Sequence, residues 1–426
     1  MPQFETAFTM DTSSIKFGPG VTHEVGYDMA SLGAKRVMVV TDPNLSTSEP
    51  VRITLDALRA EGIDAVLYDQ SRVEPTDESF KQAICFATDG KFDGYVAVGG
   101  GSSIDTAKAA NLYATWPADF LAYVNPPIGE GRPVPGKLQP LIAIPTTAGT
   151  GSETTGVAIF DLLEMHAKTG IAHRALRPVM GIIDPHNTRT LPKMAAAASG
   201  LDVLSHALES LTALPYTQRP APDSPKMRPA YQGANPISHL WASRSIEMVA
   251  KNIVRAIDDP EDDEARGEML LAAALAGIGF GNAGVHLPHG MSYPVAGMVR
   301  DYTPPGYRSD HPIVPHGMSV ILNAPAVFRF TAPTNPELHL YAASLMGVDT
   351  RGAAPADAGD LLANAIVDIM QKTGMPNGLS AVGFGEADID KLVQGTLPQH
   401  RVTKLSPRPA SADDLKQLFQ DSMKCW

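Results

Sequence analysis

Cysteine is nearly absent from this sequence: Cys85 and Cys425 are the only two among 426 residues. Two cysteines cannot build a disulfide framework, so the composition excludes small disulfide-stapled secreted scaffolds and fits a reducing compartment. The first residues include acids and no apolar segment, which predicts neither a secretory signal peptide nor an arginine-rich transit peptide. From these features we expect a cytoplasmic protein.

Positive charge is also scarce: the sequence has 34 Lys and Arg residues against 46 Asp and Glu residues, which gives a net charge of −12. This acidic balance, without a basic tract, argues against nucleic acid or an anionic membrane as partner. The longest uncharged apolar run, residues 269–285, could barely cross a bilayer, and its glycines fit a packed interior better. We therefore expect a protein that acts on small molecules.

The chain is too long for one hydrophobic core, and its two halves differ in pattern. In the first half, short β-branched and apolar runs alternate with helical spacing, which predicts βαβ units and a mostly parallel sheet. The predicted strands are residues 37–41, 65–68, 94–98 and 141–144. From Leu191 onward, long alanine- and leucine-rich helical stretches dominate. We predict domains at 1–190 and 191–426.

A triple glycine follows the third predicted strand directly: Gly99, Gly100 and Gly101, then Ser102. Glycines let the backbone approach a ligand closely, and the next helix would offer unpaired N–H groups to a phosphate. This turn is not the G-x-G-x-x-G fingerprint, and a tight strand-to-helix turn is the alternative. The segment predicts a phosphate site.

A second polar loop, Pro-Thr-Thr-Ala-Gly-Thr-Gly-Ser-Glu-Thr, follows the strand at 141–144 and contains Thr146, Thr147 and Thr150. Ligands in open α/β sheets bind at the carboxyl ends of strands, although such a loop can also be solvated surface. Asp42 ends the first predicted strand, where a carboxylate would accept from a ribose 2′-hydroxyl and repel a 2′-phosphate. This favours NAD over NADP, with a simple turn-forming role as the alternative.

The second half carries a candidate metal site. Asp202 and His206 occupy positions i and i+4 in a run of helix formers, so both side chains lie on one helix face. His289 and His316 each stand between proline and glycine, which fix the backbone around a ligand. One carboxylate and three imidazoles suit a divalent transition metal, whereas an isolated Asp/His pair is more often a helix-surface contact.

Taken together, the GGGSSID turn, the PTTAGTGSE loop, the Asp202/His206 pair and the two Pro-His-Gly segments resemble the iron-containing (group III) alcohol dehydrogenases. The resemblance spans essentially the whole chain in order. Within that family, segments such as Gly-Ile-Gly-Phe-Gly-Asn-Ala-Gly-Val-His and Gly-Thr-Leu-Pro-Gln resemble the hydroxyacid-oxoacid transhydrogenases. The implied fold is dehydroquinate synthase-like, with an α/β Rossmann-like dinucleotide-binding domain followed by an all-α metal-binding domain.

The resemblance also implies site residues. Its metal ligands would be Asp202, His206, His289 and His316, holding Fe(II) or alternatively zinc. Its NAD-binding residues would be Asp42, Gly99, Gly100, Gly101, Ser102, Thr146, Thr147, Thr150 and Lys168, with Lys168 at the ribose. A homo-oligomer is expected.

One position departs from the family pattern. Typical members carry a second histidine four residues after the third ligand, and here that residue is Tyr293. His286, three residues before His289, is a candidate substitute in proton transfer, and a core histidine is the alternative. Tyr293 and His286 are therefore the predicted catalytic pair.

The implied activity is hydride transfer through bound NAD from a hydroxyacid, such as 4-hydroxybutyrate, to an oxoacid, such as 2-oxoglutarate. The alternative is an NAD-dependent iron-type alcohol dehydrogenase that acts on a small alcohol or aldehyde. A lyase like dehydroquinate synthase and a non-catalytic NAD-binding module are further possibilities. Because the acids carry carboxylates, a cationic anchor is expected, with Arg228 and Arg174 as candidates.

Overall fold

A computed structural model describes residues 3–165, 167–307, 309 and 311–426, without the side chains of 167 and 226. The chain divides into two compact units, Asp11–Leu191 and Met1–Met10 with Pro192–Trp426. The predicted division at 190/191 thus differs from the observed one mainly in the first ten residues. These stay with the second unit because Phe4 bridges Pro220 and the Glu5 N–H donates to the Arg219 carbonyl at 2.9 Å.

The first unit, as far as it is described, is built on a six-stranded parallel sheet with the order β1-β8-β5-β4-β2-β3. A separate antiparallel hairpin joins β6 and β7. The strands are β1 Ser14–Phe17, β2 Arg36–Val40, β3 Asp64–Tyr68, β4 Gly94–Gly99, β5 Leu141–Pro145, β6 Val157–Leu162, β7 Ala167–Ala172 and β8 Met180–Ile183. The helices are α1 Val25–Ser31, α2 Glu49–Ala60, α3 Asp77–Gly90 and α4 Gly101–Thr115.

Both faces of this sheet are buried, and alternate residues of β2 serve the two faces. Val37 and Val39 pack with Val25 and Leu58 of α1 and α2 on one side. Met38 and Val40 pack on the other side with the core that α3 and α4 supply. A parallel sheet covered on both faces needs nearly continuous apolar strands, which explains the uninterrupted run in β2.

The second unit is helical. Its helices are α5 Lys193–Thr212, α6 Pro236–Asp258, α7 Asp263–Ala283, α8 Leu287–Gly297, α9 His316–Ile321, α10 Ala324–Thr331, α11 Pro336–Leu345, α12 Ala358–Lys372, α13 Ile389–Thr396, α14 His400–Thr403 and α15 Ala412–Asp421. The C-terminal two thirds of α5 is buried and packs against α6, α7 and α9. The predicted fold class, an α/β unit followed by an all-helical unit, is confirmed.

Among the described residues, no individual helix has both the length and the apolarity to span a bilayer. The consecutive helices Asp263–Ala283 and Leu287–Gly297 meet that test only as a pair, bent by 104°.

Candidate metal centre and nucleotide loops

Helix α5 presents Asp202 and His206 on one face, one turn apart, as the spacing predicts. The Asp202 Oδ1 atom lies 3.9 Å from His206 Nε2. The His206 ring stacks on Phe280 of α7 with ring centres 3.9 Å apart, which fixes the ring plane. Two of the predicted ligands are thus oriented by α5 and its packing on α7.

His289 and His316 come to the same point from α8 and α9. The Nε2 atom of His289 lies 3.6 Å from Asp202 Oδ1, and that of His316 lies 3.8 Å from it. His316 is held there because Gly317 has no side chain: a Cβ at that position would come within 2.6 Å of the Asp202 Cβ. The Pro-His-Gly glycine therefore permits the start of α9 to touch α5.

These four side chains fit a divalent metal. One donor atom from each lies within 4.8 Å of the others. Two ligands about 2.1 Å from a shared tetrahedral ion would themselves be about 3.4 Å apart, close to the observed separations from Asp202 Oδ1. The His289 Nε2 atom is also buried without a hydrogen-bond partner among the described residues. The structure brings the predicted ligands together, and their binding of a metal stays a prediction.

Among the four described side chains of the cluster, that of His316 is the most exposed. The side chains of Asp202 and His289 are each 3% exposed and that of His206 is 5% exposed, whereas His316 retains 25%. A catalytic metal site needs such an open position, unlike a closed structural one. Access to this cluster is therefore at His316.

Glu209, one helical turn beyond His206 on α5, orients His289. Its fully buried carboxylate contacts His289 Nδ1 and accepts from the backbone N–H groups of His286 at 3.0 Å and His289 at 3.1 Å. Burial would raise the pKa of Glu209, but the charge of His289 and its hydrogen bond outweigh burial and lower it. A carboxylate that accepts a hydrogen bond from Nδ1–H keeps the proton on Nδ1, so the lone pair of Nε2 can bind a metal. Sequence reasoning missed this residue, although its i+7 spacing from Asp202 was a signal.

The predicted catalytic residue His286 lies in the protein core. It is fully buried, its Nε2 atom is 3.0 Å from the Thr212 hydroxyl, and its ring meets Phe328 edge to face. Burial lowers the pKa of His286 to about 4, so the ring is neutral at physiological pH. These contacts favour the structural alternative, and a catalytic role for His286 stays a prediction without support from its surroundings.

Tyr293 lies nearer to the open side of the cluster. One turn after His289 on α8, its ring is nearly parallel to that of His316, with ring centres 6.5 Å apart. Its hydroxyl accepts a hydrogen bond from Arg401 Nη2 at 3.1 Å. Arg401 is a second residue that sequence reasoning left without a role.

The predicted nucleotide loops meet in the first unit. The Thr146 N–H donates to the Gly99 carbonyl at 3.0 Å. A Cβ on Gly100 would lie 3.3 Å from the Thr147 hydroxyl, and one on Gly101 would lie 2.5 Å from Thr150 Cγ2. The glycines therefore admit the threonine loop to the start of α4.

Helix α4 begins at Gly101 with no side-chain cap, so its first N–H groups are available to an anionic ligand. This suits the predicted pyrophosphate site at Gly99 to Ser102. The Ser102 hydroxyl accepts from the Glu74 N–H at 3.2 Å, and Glu74 in turn lies 2.6 Å from the buried ammonium of Lys168. Lys168 is thus linked to the same turn, although its contacts here are to carboxylates.

Asp42 is nearly buried just beyond β2, where Oδ1 accepts from the Asn44 N–H at 2.8 Å. Burial raises the pKa of this carboxyl group. The contact with Asn44 is the turn-forming role, and selection of NAD by Asp42 stays a prediction.

The two predicted carboxylate anchors are already paired. Arg228 donates to Glu5 through Nε at 2.9 Å and Nη2 at 3.2 Å, which occupies its forked face. Arg174 is 43% exposed and lies 3.3 Å from Asp11. Neither belongs to the metal cluster, so the structure gives no support to either as a substrate anchor.

Comparison with known proteins gives consistent matches over both units. Residues 12–185 match the family described as iron-containing alcohol dehydrogenase, and residues 230–423 match the C-terminal part of the same family. The chain is 57% identical to a hydroxyacid-oxoacid transhydrogenase of Bos taurus and 56% identical to that of Homo sapiens, over 99% of this chain and 91% and 90% of theirs. A solved 1,3-propanediol oxidoreductase is 27% identical, with a TM-score of 0.86 over 98% of this chain and all of that one.

Both mammalian relatives are named mitochondrial, which points to mitochondria rather than the cytoplasm. The predicted cytoplasmic location is therefore wrong. The low cysteine content excluded only a disulfide-dense secreted protein, and it does not distinguish one compartment with reduced thiols from another.

Proposed function

The chain belongs to the iron-containing alcohol dehydrogenase family and is an oxidoreductase, and from that premise we propose that it is a hydroxyacid-oxoacid transhydrogenase. In this proposal, hydride passes through bound NAD from a 4-hydroxybutyrate-like donor to a 2-oxoglutarate-like acceptor. The observation that carries the proposal is the set of donor atoms around Asp202 Oδ1, in a chain 57% identical to a protein of that name.

The helical unit would hold the metal through Asp202, His206, His289 and His316. We propose Fe(II), the habit of the family, with zinc as the alternative for the same donors. When bound, a divalent metal polarises a substrate oxygen as a Lewis acid, which favours loss of the hydroxyl proton. Glu209 contributes by keeping His289 in the tautomer whose Nε2 can act as a ligand.

The α/β unit would hold NAD. The start of α4 and the turn at Gly99 to Ser102 would bind the pyrophosphate, beside Thr146, Thr147 and Thr150. Asp42 would accept from the adenosine ribose, and Lys168 would contact a ribose hydroxyl. NAD supplies the hydride carrier, and these residues supply its orientation.

The two half-reactions balance without an external oxidant. Oxidation of 4-hydroxybutyrate to succinic semialdehyde releases a hydride and a proton, and reduction of 2-oxoglutarate to 2-hydroxyglutarate consumes both. The two half-reactions together would leave bound NAD unchanged. Catalytic turnover therefore requires only the two acids if the cofactor stays bound.

The test is to incubate metal-replete enzyme, purified without oxygen, with 4-hydroxybutyrate and 2-oxoglutarate and no added NAD. We expect one 2-hydroxyglutarate for each succinic semialdehyde, measured by mass spectrometry over many turnovers. An active, metal-replete preparation that forms no 2-hydroxyglutarate would contradict the proposal.

The second candidate is an NAD-dependent alcohol dehydrogenase, favoured by the likeness to the 1,3-propanediol oxidoreductase. It would release NADH in each turnover, so absorbance at the NADH band would rise steadily with a small alcohol and free NAD. A transhydrogenase that retains its cofactor gives at most one equivalent of NADH per site under those conditions.

A further inference from the structure

Arg401 is a cationic side chain without an acidic partner beside the open side of the metal cluster. Among the described residues, no carboxylate lies within salt-bridge distance of its guanidinium group. Most other described arginines are paired: Arg228 with Glu5, and Arg300 with Asp388 at 2.8 Å. Arg401 is therefore one of the few described arginines without a carboxylate partner, in a chain with a net charge of −12.

The contacts of Arg401 hold its position and leave its charge uncompensated. Its Nη2 donates to the Tyr293 hydroxyl at 3.1 Å, and its Cζ lies 5.1 Å from the centre of the Tyr231 ring. Among the described residues, its Nη1 atom is buried and has no hydrogen-bond partner within normal distance. Burial opposes the charged form, but the side chains of Tyr293 and Tyr231 favour it and raise the pKa of Arg401. A buried cationic group with an unused donor is costly unless an anion pairs with it.

Two observations place Arg401 beside the cluster. Helix α14 packs directly on α8, because a Cβ on Gly290, next to the ligand His289, would lie 2.6 Å from Thr403 Cγ2. Tyr293 connects Arg401 to the His316 side, which is where the cluster is open.

We propose that Arg401 binds the carboxylate of the acid substrates and that Tyr293 positions its guanidinium group for this. The inference rests on the proposed transhydrogenase function and adds the residue that selects acids over simple alcohols. A planar guanidinium pairs with a carboxylate through two parallel hydrogen bonds, which a neutral alcohol cannot form. The Tyr293 hydroxyl accepts from one of these nitrogens and so limits rotation of the group.

The direct test measures binding of glutarate, a non-reacting dicarboxylate, to wild-type, Arg401→Met and Arg401→Lys enzymes by calorimetry, with and without added metal. Charge-assisted hydrogen bonds of this kind correspond to a loss of about 10- to 100-fold in affinity for Arg401→Met. Arg401→Lys keeps the charge without the fork, and we expect a smaller loss. Arg300→Met removes an exposed, paired arginine and should leave glutarate binding within twofold.

The kinetic test compares kcat/KM for 4-hydroxybutyrate and for 1-butanol. Arg401→Met should lower the value for the acid about 10- to 100-fold and leave that for the alcohol within about threefold. Tyr293→Phe should raise KM for the acid with a smaller change in kcat. Circular dichroism and melting curves identify variants that fail to fold, in which case Arg401→Lys decides the matter.

The outcomes separate the two proposals. Absence of 2-hydroxyglutarate formation by the wild type would refute the transhydrogenase assignment, whatever glutarate binding shows. A wild type that makes 2-hydroxyglutarate, together with folded Arg401→Met and Arg401→Lys enzymes that bind glutarate normally, would overturn the role of Arg401. The same holds if NAD affinity falls in Arg401→Met and glutarate affinity does not, because the anion would then be a cofactor phosphate.

Discussion

Replacing Glu209 with glutamine should weaken metal binding by changing which nitrogen of His289 carries the proton. In the wild type, the Glu209 carboxylate contacts His289 Nδ1 and accepts two backbone N–H groups at 3.0 and 3.1 Å. In Glu209→Gln, the amide oxygen keeps those backbone donors, so the amide nitrogen turns toward Nδ1. An N–H donor there favours the His289 tautomer with its proton on Nε2, and a protonated Nε2 is not a ligand.

The expected loss in metal affinity is about 10- to 100-fold, or about 1.4 to 2.7 kcal/mol, the range for residues that orient a ligating histidine. Anaerobic competition with a chromophoric chelator, using zinc and then Fe(II), measures it. Glu264→Gln is the matched control, since Glu264 is an exposed carboxylate of the same unit, paired with Arg255. A folded Glu209→Gln enzyme that binds metal within twofold of the wild type would refute this reasoning.

Three further predictions concern packing, ligand linkage and pH. Gly101→Ala should destabilise the α/β unit by about 1 to 3 kcal/mol and weaken NAD binding, because the added Cβ would lie 2.5 Å from Thr150 Cγ2. Denaturant melts measure the stability and NAD titration measures the affinity. Gly385→Ala is the control, since a Cβ at that position would meet no atom within 4 Å. Removing metal with a chelator should lower stability by about 2.7 kcal/mol relative to metal at 100 times its Kd, seen as a lower Tm that recovers on adding metal back. Burial raises the pKa of Glu153 from 4.5 to about 7, so the folded state binds this proton more tightly than the unfolded state and stability falls as pH rises through that interval. Urea melts at pH 5 and pH 8 measure how far the free energy of unfolding falls between these pH values, and Glu153→Gln should reduce that fall by up to about 3 kcal/mol. If the variant shows the same fall as the wild type, Glu153 is not its source.

Four strands of the sheet were readable from the sequence, because β2, β4 and β5 are interior strands that are apolar on both faces and the edge strand β3 carries a short apolar run at 65–68. The predicted strands at 37–41, 65–68, 94–98 and 141–144 correspond to β2, β3, β4 and β5, with no end shifted by more than one residue. The edge strand β1 and its neighbour β8 were not predicted. Each has four residues, too few to show a period, and β1 pairs with β8 across more than 150 residues of chain. Their pairing depends on tertiary contacts, which local patterns do not contain.

The metal ligands could be predicted from the sequence, whereas the residues that support them could not. Few residue types ligate a divalent metal, so Asp202 and the three histidines are visible as a set. Glu209 and Arg401 are residue types that usually lie in solvent. The i+7 spacing from Asp202 places Glu209 on the ligand face of α5, but nothing in the sequence indicates that either residue contacts α8. What distinguishes them is the partner each meets: a buried imidazole for Glu209, and a tyrosine in place of a carboxylate for Arg401. That difference in partner is why we assign Glu209 to the metal and Arg401 to the substrate, and the variants above test the two assignments separately.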